Sequence, residues 1–300
     1  MKKSFMKQFL VFCIKAVSRL ALFLPRKVIR LFYTSLGVIW FDILGFRKKI
    51  VLENLKIAYP EMTLENRTRL GRKSVYNMLA NVSDLFAIPF IDEAWIKKHV
   101  VYHGTENMQK AVAKGKGVYV LSLHMGNGDV AATLIQMQNF KLFLITKFFK
   151  NKLFNDIWFA IRGAKGVSYI EPHGEKTPFQ ILKALKSNAL VVFVLDQYMG
   201  KPFGIETSFF RRKTGTAQGL ALFYTKTKSP IVPVYCYEGE DNKFHLVYEP
   251  ELELDSLLEE DKEKTILNLT QKFCDVTESI VRRHPEQWMW VHRRWKNFND

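Results

Sequence analysis

From residue 100 onward the chain alternates short β-branched runs with helical segments, the runs being Gly117 to Leu123, Leu142 to Thr146, Val167 to Ile170, Ala189 to Leu195, Ile231 to Tyr237 and Phe244 to Tyr248. Runs of about four to eight apolar residues suit strands buried on both faces, and the stretches between them carry apolar residues at helical spacing. The alternation predicts an α/β fold: a central, mostly parallel sheet flanked by helices. Upstream, the periodicity predicts helices over Leu64 to Phe86 and Asp92 to Lys98, punctuated by Pro60 and Pro89. Downstream, residues 249–263 hold eight acids and one lysine, the pattern of a solvated face or loop. A last helix, Lys264 to Arg283, leads into "HPEQWMWVHRRWK", where Trp288, Val291, His292 and Trp295 would share one helical face packed into the core.

Charge narrows the partners. Against 29 acids stand 45 bases, a net charge of +16, which favours an anionic partner such as nucleic acid, an acidic membrane or an acidic protein. Residues 1–50 hold eleven Lys or Arg and the single acid Asp42, interleaved with Phe, Leu, Ile and Val. That mixture suits a helix lying in a headgroup region, apolar side in acyl chains and basic side on anionic lipid. The longest uncharged run, Leu31 to Phe41, falls short of the ~20 apolar residues that span a bilayer, so residues 4–45 read as an interfacial or re-entrant anchor. Outside it the bases do not gather on one helix, and no nucleic-acid-binding signature occurs. Three cysteines, Cys13, Cys236 and Cys274, are odd in number and without ligand spacing, which predicts neither disulfides nor a zinc site and suits a reducing compartment. The seven histidines show no metal spacing either, and no cofactor is implied.

One stretch carries chemistry. In "GVYVLSLHMGNGDV" an apolar run ends in His124, a Gly-Asn-Gly turn and Asp129. Open α/β sheets bind ligands beyond the carboxyl ends of their strands, and His124 stands at such an end. Asp129 would fall in the first turn of the next helix, where the dipole favours a carboxylate, and could accept from the imidazole. An imidazole held at one nitrogen offers the other as a general base toward a hydroxyl or amine. Spacing alone leaves open a satisfied strand-end histidine with Asp129 as a helix-start residue. Dinucleotide binding through Gly126-x-Gly128-x-x-Ala131 would need an acid about 20 residues on; Lys147 stands there instead. Asp196-Gln197 ends another apolar run and should face the same crevice.

"GVYVLSLHMGNGDV" resembles the His-x-x-x-x-Asp/Glu block of the lipid A biosynthesis acyltransferases, the lauroyl/myristoyl transferases related to glycerolipid acyltransferases. The likeness continues through "RKKIVLENLKIAYPEMT", "ITKFFKNKLFNDIWFAIRGAKG", "VVFVLDQYMGKPFGIETSFFRRKTGTAQGLA" and "HPEQWMWVHRRWK". A single H-x-x-x-x-D is common; five blocks in order are specific. The resemblance implies an O-acyltransferase domain over residues 46–300 behind an N-terminal membrane anchor at 1–45, working on the cytoplasmic face of the inner membrane. It further implies an acidic acyl-acyl carrier protein as donor and a phosphorylated, acylated lipid A precursor as acceptor. His124 would be the base and Asp129 its orienting partner, with Asn127, Lys147, Arg162, Asp196, Gln197, Arg211 and Arg212 binding substrate. Lys147 stands where that family usually has Arg, Arg211 replaces a usual glycine, and Gly128 replaces a frequent large aromatic. The residues alone leave open another glycolipid or lysophospholipid acyltransferase, or a non-catalytic membrane-binding protein.

Overall fold

The computed structural model describes residues 26–298. The expected alternation is present. Ten α-helices among the described residues are numbered in chain order: α1 (Arg26–Gly37), α2 (Lys48–Ala58), α3 (Leu64–Leu85), α4 (Glu93–His99), α5 (Thr105–Ala113), α6 (Gly128–Met137), α7 (Lys152–Arg162), α8 (Thr177–Lys186), α9 (Gly219–Thr227) and α10 (Lys262–Arg283). A seven-stranded sheet has the order β1-β9-β8-β2-β5-β3-β4, from β1 (Val100–His103), β2 (Val118–Ser122), β3 (Leu142–Ile145), β4 (Ser168–Ile170), β5 (Leu190–Val194), β8 (Ile231–Glu238) and β9 (Phe244–Tyr248). β8 and β9 pair antiparallel as a hairpin; the other neighbours run parallel. A second hairpin, β6 (Gly204–Phe209) with β7 (Arg212–Ala217), lies against α10.

The central strands are continuous apolar runs because both faces are covered. Val118, Val120, Leu190 and Val192 join one core cluster with Ala132, Leu134 and Ile135 of α6. Tyr119, Leu121, Val191 and Phe193 join a second with α8, α9 and α10. The edge strand β1 and the separate second hairpin carry weaker signals: β1 is four residues with one buried, and β6 and β7 carry Glu206, Thr207, Ser208, Lys213, Thr214 and Thr216. Their threonines are nonetheless buried, satisfied among themselves and by Arg294.

The tryptophan-rich tail is not a helix. Beyond the short 3-10 turn Pro285–Gln287 it runs as an irregular strap with Trp288, Trp290 and Arg294 wholly buried. Its carbonyls are taken by side chains of the N-terminal helices: Ser74 donates to Trp288 O at 2.6 Å, Asn54 to Trp290 O and His292 O at 2.7 Å each, and Arg47 to Val291 O at 2.9 Å. Backbone acceptors satisfied in this way need no i→i−4 ladder. The acidic stretch is a loop, as expected, with Glu251 on Lys114 and Glu249 on Arg283.

Of the anchor residues, 1–25 lie outside the described ones. Residues 26–46 pack on α3: Phe41 is fully buried, and Arg72 grips Asp42 through Nε at 3.0 Å and Nη2 at 2.9 Å. The same segment exposes Leu31, Phe32, Ile43, Leu44 and Phe46. No helix among the described residues is long and apolar enough to cross a membrane.

Arg294 ties the strap to the second hairpin, donating to Gly215 O at 2.5 Å and Thr216 Oγ1 at 2.7 Å. Arg294→Ala leaves those acceptors orphaned beside a void, and unfolding in urea should show a loss of about 3 kcal/mol or more. A change under about 0.5 kcal/mol would mean the strap is held elsewhere.

Candidate active site

The parallel pairing of β2 with β5 positions the site. Val118 faces Leu190 and Ser122 faces Val194, so two residues beyond the paired ends His124 meets Asp196. The His124 Nδ1 to Asp196 Oδ1 distance is 2.8 Å, and the His124 amide donates to Asp196 Oδ2 at 3.0 Å. Trp288 Nε1 donates to the same Oδ2 at 2.7 Å. The Asp196 side chain is 2% exposed and that of His124 38%. A carboxylate so deep is tolerated only because donors surround it.

The turn between His124 and α6 is held from three sides. Gly126 has φ +51°, and a Cβ there would collide with the Cys236 carbonyl, so glycine is required. Asn81 of α3 donates to Gly126 O at 2.7 Å, and the Asn127 amide returns a bond to Asn81 O at 2.9 Å. From the strap, Gln287 O accepts from Gly126 N and the Met289 amide donates to His124 O. Asn127 also caps α6, its Oδ1 accepting from Val130 N at 3.1 Å. It is buried and holds the turn in shape.

The carboxylate on the imidazole is thus Asp196, where Asp129 was expected. Asp129 sits in the first turn of α6 and accepts from Arg162 Nε at 2.6 Å. The guanidinium at the end of α7 approaches α6, whereas the sheet register aims Asp196 at the ring. Arg162 is itself seated among Phe159, Trp158 and Tyr169. The charge of Asp129 still reaches His124.

Burial alone would push the His124 pKa down, but the charge and hydrogen bond of Asp196, with the charge of Asp129, carry it above the ordinary histidine value. Burial of Asp196 would raise its pKa; the His124 charge, the ring hydrogen bond, the Trp288 indole and the His124 amide carry it below the usual carboxylate range. An ionised Asp196 accepts from Nδ1–H, which makes Nε2 the basic nitrogen. Gln197 Nε2 stands 3.4 Å from it.

His124 lines a cavity of about 930 Å³. Of the expected site residues, Asp129, Lys147, Arg162 and Gln197 line it too, while Asp196 and Asn127 stand behind its wall. One part of the lining is apolar, with Val120, Ala131, Ala132, Ile135, Leu144 and Val192. Gly128 also faces the cavity, and a Cβ there would meet nothing within 4 Å. Arg211 and Arg212 are not brought to the cavity. They sit exposed at the tip of the β6–β7 hairpin, where Phe210 and Arg211 both have positive φ, as the two-residue turn of a twisted hairpin requires. The role of Trp288 was missed; a tryptophan amid polar neighbours signals an indole N–H needing a buried acceptor, though not which one. Among the described residues no cluster could hold a metal ion.

The family model described as bacterial lipid A biosynthesis acyltransferase matches residues 2–297. The lipid A biosynthesis lauroyltransferase of Escherichia coli (strain K12) is 24% identical over 277 residues, covering 91% of this chain and 87% of that one. The lipid A biosynthesis palmitoleoyltransferase of the same strain is 22% identical over 275 residues, 91% of this chain and 86% of that one. A phosphatidylinositol mannoside acyltransferase of Mycobacterium tuberculosis (strain ATCC 25618 / H37Rv) is 23% identical over 217 residues, which are 71% of this chain and 66% of that protein.

The electrostatics predict an NMR titration of the His124 ring with its midpoint above the ordinary 6.5. Asp129→Asn removes one of the charges that raises it, so the midpoint should move to lower pH while the fold persists. An unmoved midpoint would mean that Arg162 fully screens Asp129 from the ring.

Proposed function

The chain belongs to the bacterial lipid A biosynthesis acyltransferases, and on that premise we propose that it moves a fatty acyl chain from acyl-acyl carrier protein to a hydroxyl of a lipid A precursor, with His124 as general base. The observation that carries this reading is the buried Asp196 carboxylate on His124 Nδ1, which leaves Nε2 at the cavity as proton acceptor. As the acceptor oxygen attacks the thioester carbonyl, its proton passes to Nε2. When the carbon–sulfur bond breaks, the imidazolium returns that proton to the departing thiolate. Asp196 orients the ring and balances its transient charge. Asp129 adds negative charge and fixes Arg162, in place of holding the imidazole directly.

The remaining assignments follow from position. Lys147 and Arg162, the first a point charge and the second a planar fork, are offered to an acceptor phosphate at the cavity wall. Gln197 is offered to the substrate beside His124 Nε2, Asn127 shapes the turn, and the apolar lining takes the acyl chain. The exposed charges of Arg211 and Arg212 are assigned to attraction of the acidic carrier or phosphorylated headgroup, with no contact to the reacting groups. Residues 1–45 are proposed as the anchor on the anionic cytoplasmic face of the inner membrane, with 46–300 as the acyltransferase domain. The exposed apolar side chains between Val28 and Leu44 support that reading. A second reading, transfer to a different glycolipid, is favoured by the similarity to the mannoside acyltransferase.

Mass spectrometry of purified precursor incubated with the protein and acyl-acyl carrier protein should show one added acyl chain. Acylation of another glycolipid while the precursor stays unchanged would favour the second reading. A folded His124→Ala protein should turn over at least ~10²-fold more slowly, the lower range for a lost general base; near-normal turnover would sink the mechanism. Arg211→Glu with Arg212→Glu should raise KM more than it lowers kcat. That defect should shrink with salt, since exposed charges are screened within ~8 Å at physiological ionic strength. A salt-independent defect confined to kcat would place these arginines in the chemistry.

A further inference from the structure

The loop that leaves β3 exposes a run of alternating character, Lys147-Phe148-Phe149-Lys150-Asn151-Lys152, and Phe154 follows on α7. Phe148, Phe149 and Phe154 are 41%, 43% and 47% exposed. Their rings pack on each other and on half-buried neighbours at the surface: Phe149 meets Phe154 edge-on at 4.7 Å and Trp158 at 5.7 Å, and Phe148 meets Phe159 at 4.9 Å. The presentation is built into the backbone, since Asn155 Oδ1 accepts from Phe149 N at 2.9 Å and Asn151 Oδ1 from Phe154 N at 3.0 Å. Among the described residues, Lys147, Lys150 and Lys152 meet no acid within ion-pair distance. The cost of showing water an ordered aromatic cluster calls for an occupant.

Position identifies the occupant. Lys147 lines the cavity and is itself exposed, so the patch adjoins the cavity where it reaches the surface. α7 touches the 3-10 turn Ile88–Phe90 that follows α3. α1 packs on that same helix α3. α1 there exposes Leu31 and Phe32 at 68% and 60%. Aromatic rings interleaved with lysines suit the headgroup–acyl boundary of an anionic bilayer, with rings among the upper acyl carbons and ammonium groups on anionic headgroups. An acidic protein would pair the lysines and leave the rings without a fluid apolar phase.

We propose that Lys147–Phe154 is a second bilayer contact at the cavity mouth, with Phe149 and Phe154 entering the membrane and Lys150 and Lys152 on anionic headgroups. It deepens the reading that the acceptor is a membrane glycolipid, by letting the headgroup pass into the cavity while its acyl chains remain in lipid.

The test uses the full chain with Cys13→Ser, in which Cys236 and Cys274 are buried. An environment-sensitive fluorophore is placed at Phe149→Cys, and in a control at Lys262→Cys, which is exposed at the start of α10. Phosphatidylcholine vesicles containing phosphatidylglycerol should blue-shift the label at 149 and leave that at 262 unchanged. Lys150→Gln and Lys152→Gln should each weaken sedimentation with those vesicles by about fivefold at low salt. Phe149→Ser with Phe154→Ser should lower acylation of bilayer-embedded acceptor at least about tenfold, while activity on detergent-dispersed acceptor stays within about twofold. Sedimentation with vesicles without a shift at 149, or a shift produced by acidic carrier protein and not by vesicles, would overturn the proposal. The fluorescence reading does not depend on turnover, so wild-type inactivity in detergent with the shift intact would count against the proposed function alone.

Discussion

The parallel register of β2 on β5 is the constraint on which the site depends. Two strands paired from Val118↔Leu190 to Ser122↔Val194 leave the sheet side by side, and the residues at equal distance past their ends become neighbours. His124 and Asp196 are 72 residues apart in sequence and 2.8 Å apart in space for that reason. A slip of one residue would turn the side chains of one strand to the opposite face, placing core residues in the wrong layer and Asp196 away from the ring. Because Val191 and Phe193 pack into one layer while Leu190 and Val192 pack into the other, the register that fills both cores also assembles the pair.

An ion buried at the end of that register imposes its own demands. Asp196 receives donors from the His124 ring and amide and from the Trp288 indole, and the tail adopts an irregular path that delivers the indole there. Were the tail helical, its carbonyls would bond within it; instead Ser74, Asn54 and Arg47 take them, and α2 and α3 are fastened to the site through the tail. Arg294, also wholly buried, continues the fastening to the second hairpin. The N-terminal helices, the tail and the hairpin form one scaffold around a single charge. Its burial would be costly if any donor were lost.

What could be read in the sequence follows the range of the forces involved. Long apolar runs flanked by helical periodicity announced the parallel sheet, since burial on both faces leaves a local pattern. β1 and the hairpin from Gly204 to Ala217 left none, being short or rich in Thr, Ser, Lys and Glu whose satisfaction comes from Arg294 and from one another. His124, Asp129 and Gln197 were legible as cavity residues because each stands at a strand end or in the first turn of the helix that follows one, whereas Lys147 and Arg162 were legible only through the family resemblance. Which carboxylate holds the imidazole was not, because it depends on strand order, and a five-residue spacing favoured Asp129 over a partner 72 positions away. The tail was misread for a related reason: its periodic tryptophans mimic a helix face, while the side chains that replace helical hydrogen bonds come from residues more than two hundred positions earlier.

The central claim is that His124 and Asp196 act as one unit, and a double-mutant cycle on kcat/KM measures that directly. His124→Ala, Asp196→Asn and the double variant would be compared on detergent-dispersed acceptor, after circular dichroism shows each folded. If the carboxylate works only through the imidazole, the double variant should be no slower than His124→Ala within about threefold, because groups that act together do not lose their effects additively. Fully multiplicative losses would show that Asp196 serves the reaction apart from His124, and would contradict the account.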